Sequence, residues 1–137
     1  MILARPALLS LLLVACSSVT QTDIVGHWKL SDDSRRYLPV NIRTSSTDLV
    51  FESDGTFTAV SLPERDPISP DGYTRSGRGR WKIVFEQGED RVQLRFDNWQ
   101  QSLSVSMFPG SEPSLYFFLT DPDSGERIVF VRMPTKQ

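Results

Sequence analysis

Period-two alternation constrains this chain more than any other feature. In Arg91-Val92-Gln93-Leu94-Arg95-Phe96 every second side chain is apolar, and Ser102-Leu103-Ser104-Val105-Ser106-Met107 repeats the pattern without an error. Gly79-Arg80-Trp81-Lys82-Ile83-Val84-Phe85 sets Trp81, Ile83 and Phe85 on one face and Arg80 and Lys82 on the other. Successive side chains of a strand point to opposite faces. Strict alternation therefore predicts antiparallel strands with one wet face. The same rule predicts strands at 24–30, 48–52, 56–61, 79–86, 91–96, 102–107, 114–120 and 126–132, and no long helix.

Turn chemistry separates these strands. Ser53-Asp54-Gly55, Gln87-Gly88-Glu89-Asp90 and Pro109-Gly110-Ser111-Glu112-Pro113 suit tight hairpins. The remaining connections span 31–47, 62–78, 97–101 and 121–125. On an up-and-down meander successive loops fall at alternate ends, so the tight turns share one end and both long loops share the other. The expected fold is all-β: a single eight-stranded antiparallel up-and-down barrel over 24–134, with a closed floor, an elaborated mouth and a short tail at 135–137.

The segment before it, MILARPALLSLLLVACSSVTQTD, has three readings. A membrane-spanning helix needs about 20 apolar residues, and the run over 7–15 is under half of that, with Ser10 inside it. A core helix seldom starts at the initiator methionine. A secretory signal fits each part: Arg5 for the positive region, an apolar stretch at 7–14, and the small Ala15 before the cleavage point. Leu13-Val14-Ala15-Cys16 resembles a bacterial lipobox. The resemblance implies a signal peptide at 1–15, diacylglycerol on the Cys16 sulfur, an acylated new amino terminus and a lipidated tether at 16–23. Ser17 after the cysteine implies the outer membrane of a Gram-negative envelope, facing the periplasm. One acyl chain holds weakly and two or three hold firmly, at about 0.8 kcal/mol per buried methylene. The tether spans at most roughly 25 Å beyond the cysteine.

Cys16 is the only cysteine, so its lipidation leaves the domain without a disulfide. Without Arg5, 14 basic side chains stand against 17 acidic ones. That balance argues against nucleic acid as a partner and offers no polybasic membrane patch.

Gly26-His27-Trp28 opens the first strand, and Arg132 ends the last one in phase with inward Ile128 and Phe130. This pattern resembles the Gly-x-Trp signature of lipocalin-like barrels. In that family the tryptophan plugs the floor and an arginine of the last strand lies across it. The resemblance implies that Gly26, Trp28 and Arg132 form such a floor. Thr120-Asp121 lacks the tyrosine of that family's Thr-Asp-Tyr turn and lies at the opposite end.

Catalytic and metal chemistry find little purchase. Triads and zinc sites usually use histidine or cysteine; His27 is the lone histidine, and its phase points it outward. Asp121-Pro122-Asp123-Ser124-Gly125-Glu126 has the oxygens of a calcium loop but is shorter than an EF-hand, and it has the residues of a hairpin turn. Glu64, Asp66 and Asp71 read as a solvated loop, and Arg78, Arg80 and Lys82 as a solvated strand face. No enzyme activity and no cofactor is implied. The mouth loops carry Arg35, Arg36, Tyr37, Tyr73, Arg75 and Trp99, residue types enriched where partners are recognised. The expectation is a membrane-anchored lipoprotein binding a small apolar ligand or lipid inside its barrel. The alternative is a periplasmic protein-binding module, an inhibitor or assembly accessory acting through the mouth. The bulk of Trp81, Phe85, Phe96, Phe117 and Phe130 weighs on that choice, because eight strands enclose only enough room for side chains or one small ligand.

Overall fold

The structure is a computed structural model that describes residues 19–38, 40–43, 46–63, 74–108, 112–118 and 127–134. Its strands are β1 (Gly26–Leu30), β2 (Asp48–Phe51), β3 (Thr56–Pro63), β4 (Thr74–Glu86), β5 (Glu89–Phe96), β6 (Leu103–Phe108), β7 (Ser114–Phe118) and β8 (Arg127–Arg132). Each pairs antiparallel with the next, and β8 returns to β1, so the sheet closes as an up-and-down barrel. Closure removes every exposed sheet edge. Three one-turn helices lie outside the wall: α1 (Gln21–Ile24), α2 (Asp32–Arg35) and α3 (Val40–Arg43). At four residues each, they are too short to show a helical period.

Inward residues from all eight strands form one cluster, joined by Ile24 below and Leu38 above. Trp28, Phe51, Phe57, Phe96 and Phe130 are its largest fully buried members. Phe57 and Phe96 meet edge-to-face at 4.9 Å, across β4. They can do so because β4 presents Gly77 and Gly79 at the intervening inward positions. A Cβ on Gly79 would stand 1.9 Å from the Arg95 carbonyl oxygen, so β4 and β5 approach as only glycine permits.

Several boundaries depart from the sequence expectation. β1 starts at Gly26 rather than at residue 24, because Gly26 turns the chain at φ +141° and Ile24 belongs to α1. β3 runs to Pro63, across an irregularity between Ala59 and Leu62. β4 begins at Thr74, not at 79, so Arg75 and Arg78 lie on a strand and not in a loop. Apolar alternation missed this stretch because its inward positions are Arg75 and Gly77. Phe85 does not help to fill the barrel: it is 73% exposed. β3 pairs with β4 no further than Arg80 and β6 with β5 no further than Arg91, so the tip of the β4–β5 hairpin projects past its neighbours. Ahead of β1, Ile24 of α1 enters the core and Val19 packs against it.

Candidate functional site

The floor is built by three residues and one turn of helix. Trp28 is fully buried, and its indole Nε1 donates to the Ile24 carbonyl at 2.8 Å. The Arg132 guanidinium lies 5.2 Å from the Trp28 ring centre. Its Nη2 donates to the carbonyls of Thr22 and Val25, each at 3.0 Å, and to that of Asp23. Helix C-termini leave carbonyls without partners; here one indole and one guanidinium take four in succession. Gly26 starts the strand at φ +141°, a conformation that favours glycine, and a Cβ there would meet the Arg132 side chain at ordinary contact distance. Upstream, the Val19 N–H donates to Asp90 Oδ2 at 3.0 Å, which fastens the chain to the β4–β5 hairpin.

At the mouth end the segment of α2 and α3 is held by the same device. The Arg43 Nε donates to the Arg35 carbonyl at 3.2 Å, and its Nη2 to those of Arg36 and Leu38 at 3.0 Å. Ser34 is buried and accepts the Val129 N–H at 2.9 Å, which ties α2 to β8. Leu38 thereby enters the core, with Tyr37 half-buried beside it.

The expected mouth residues fall into two stacked pairs. Arg36 lies 4.8 Å from the Tyr37 ring centre and donates to its hydroxyl at 2.8 Å. Arg75 lies 4.0 Å from the Trp99 ring centre, and Trp99 packs edge-to-face on Phe96 at 6.2 Å. Tyr37 and Trp99 therefore cap the core while showing one face at the rim. Arg35 turns back to the Arg43 carbonyl at 3.2 Å. Val40 adds an apolar side chain that is 72% exposed. Tyr73 and Cys16 lie outside the described residues, as do the acidic stretches around Glu64 and Asp121.

His27 does point outward, where its Nε2 stands 2.7 Å from Asp48 Oδ1, with Lys29 Nζ 3.9 Å from the same oxygen. Among the described residues no three His, Cys, Asp or Glu converge as a metal site. Clefts of about 530 and 510 Å³ lie around Arg132, Met133 and Pro134 outside the floor, and one of about 550 Å³ lies by Gly77 and Asp97. The large buried rings line none of the three. At the floor turn Asp54 accepts from the Thr56 N–H and hydroxyl at 2.9 and 2.6 Å, and chiefly these bonds hold its carboxyl below the ordinary aspartate range.

Sequence reasoning missed two features. Nothing in the pattern marked Arg43. The other is an aromatic group on the outer wall: Phe108 stacks on Tyr116 at 4.2 Å, Phe118 meets Tyr116 edge-on, and Arg127 lies 4.9 Å from the Phe108 ring centre. Its signal was present, since Leu115-Tyr116-Phe117-Phe118 and Ile128-Val129-Phe130-Val131 are apolar without alternation, as strands apolar on both faces are.

Comparison of the chain with protein-family models, with curated proteins and with solved structures finds no match.

Proposed function

We propose that this is a lipid-anchored envelope protein that recognises a protein partner through the mouth rim of its barrel. Acylated Cys16 holds it to the membrane, with the outer membrane of a Gram-negative cell as its site. The carrying observation is the packed interior: every strand contributes to one cluster, and Leu38, Tyr37 and Trp99 cap it from above. That packing favours a surface-acting module over a carrier of an apolar molecule. The rim has the residue types of a recognition surface, namely the Arg36–Tyr37 and Arg75–Trp99 stacks with exposed Val40 between β1 and β2. Gly26, Trp28 and Arg132 support kinship with lipocalin-like barrels in architecture. The floor, from which the tether leaves, faces the membrane, and the rim faces the periplasm.

The test is photo-crosslinking in living cells, with the crosslinker at position 36, at position 40, or at exposed Thr58 on the outer wall. Discrete adducts at 36 and 40 but not at 58 are expected. Equal adducts at all three positions, or none, contradict recognition by the rim.

A further inference from the structure

The β4–β5 hairpin holds an apolar side chain that the fold does not use. Phe85 is in phase with inward Trp81 and Ile83, yet it stands beyond the barrel end and is 73% exposed. It pairs with Asp90 across the hairpin, and the Asp90 carboxylate is the group that accepts the Val19 N–H. Only Ser17 and Ser18 separate Val19 from Cys16 in the sequence, so the two are at most about 11 Å of extended chain apart. Adding the Val19–Asp90 hydrogen bond, the Asp90 side chain and the spacing of paired strands, the chain length allows position 16 no more than roughly 25 Å from Phe85. Two further exposed apolar residues, Phe108 and Val131, lie at the floor ends of β6 and β8.

We propose that the hairpin is a second membrane contact, which inserts Phe85 into the headgroup layer of the bilayer that holds the anchor. This rests on the lipid-anchor reading above, because acylated Cys16 is what brings the floor to the lipid. A phenylalanine on such a hairpin suits the headgroup–acyl boundary, into which interfacial segments bury Trp, Phe and Leu by about 5–10 Å. The charges select the kind of surface. Arg91 and Glu89 pair with each other at 3.0 Å, which leaves Glu86 and Asp90 against Lys82 alone on the hairpin. The surface it fits is zwitterionic, with ammonium groups to meet the carboxylates, and not anionic. A hairpin contact beside the anchor fixes the tilt of the barrel, so that the rim points away from the membrane instead of swinging on a loose tether.

The chain's single cysteine makes the test clean. Once Cys16 is acylated, Phe85→Cys supplies the one free thiol for an environment-sensitive fluorophore, and Val40→Cys supplies an equally exposed control at the mouth. The lipidated protein is reconstituted into phosphatidylethanolamine–phosphatidylcholine vesicles, with and without anionic phosphatidylglycerol. The expected result is a blue-shifted, brighter emission from position 85, quenched by headgroup-proximal nitroxide lipids, while position 40 stays aqueous. The response weakens as the anionic fraction rises. Aqueous emission from both positions, with the protein still floating with the vesicles, overturns the hairpin contact and leaves the anchor standing. Insertion at both positions, or a response strengthened by anionic lipid, also overturns it. A second free thiol at Cys16 instead shows that the anchor reading has failed, and the hairpin contact with it.

Discussion

Replacing Arg132 by methionine keeps much of the side-chain bulk and removes the hydrogen bonds that latch α1 to the floor. A buried hydrogen bond to a charged group contributes about 1.5–3 kcal/mol. Of the three carbonyls Arg132 serves, that of Thr22 lies where water can replace the guanidinium, while those of Asp23 and Val25 are partly buried. Those two bonds and the stacking on Trp28, about 0.5–2 kcal/mol for a cation over a ring, give an upper range of about 4–8 kcal/mol. The segment has a cheaper response, which is to lift away and hydrate its carbonyls. Lifting exposes Ile24, now fully buried, at about 1.5–3 kcal/mol. It also breaks the Trp28–Ile24 hydrogen bond, worth about 1 kcal/mol. The expected loss is therefore about 2.5–4 kcal/mol, a large part of the stability of a typical domain. Urea unfolding of the protein carrying Cys16→Ser, followed by tryptophan emission, measures it. Arg132→Lys, whose single amine cannot span the same carbonyls, should fall between. A loss below about 1 kcal/mol, or Arg132→Lys matching wild type, refutes the latch.

Three further outcomes follow from particular contacts. Gly79→Ala places a methyl group against the Arg95 carbonyl; it should cost at least the upper end of the usual overpacking range of about 1–3 kcal/mol in the same assay. Asp54 has a lowered folded-state pKa, so its contribution is complete above the ordinary aspartate value of 3.8 and is lost as pH falls through the lower folded value; Asp54→Asn should flatten the unfolding midpoint against pH in that acid window alone. Palmitate labelling should mark the wild type and not Cys16→Ala, and an unlabelled wild type whose first residue is not Cys16 removes the anchor.

The barrel was legible because its strands alternate wherever one face is wet, and because turn lengths alone assign the loops to two ends. The floor was legible through Gly26, Trp28 and Arg132, which sit at opposite ends of the domain sequence yet meet when β1 and β8 pair. What failed did so for physical reasons. Alternation reports apolar inward positions, so it passed over the start of β4, where those positions are Arg75 and Gly77. It reports phase but not how far neighbouring strands extend, so Phe85 read as core. A one-turn helix carries no period, and the arginine that caps it acts on carbonyls, which every residue has. Arg43 was invisible on both counts.

Whether the interior is packed or open decides between a surface-acting module and a carrier, and titration with a fluorescent fatty-acid analogue measures that directly. A barrel filled by Phe57, Phe96, Phe130 and their neighbours gives only a weak, non-saturating rise in emission, with no energy transfer from Trp28 or Trp81. Saturable binding of one analogue per protein, with quenching of those two buried tryptophans, contradicts it.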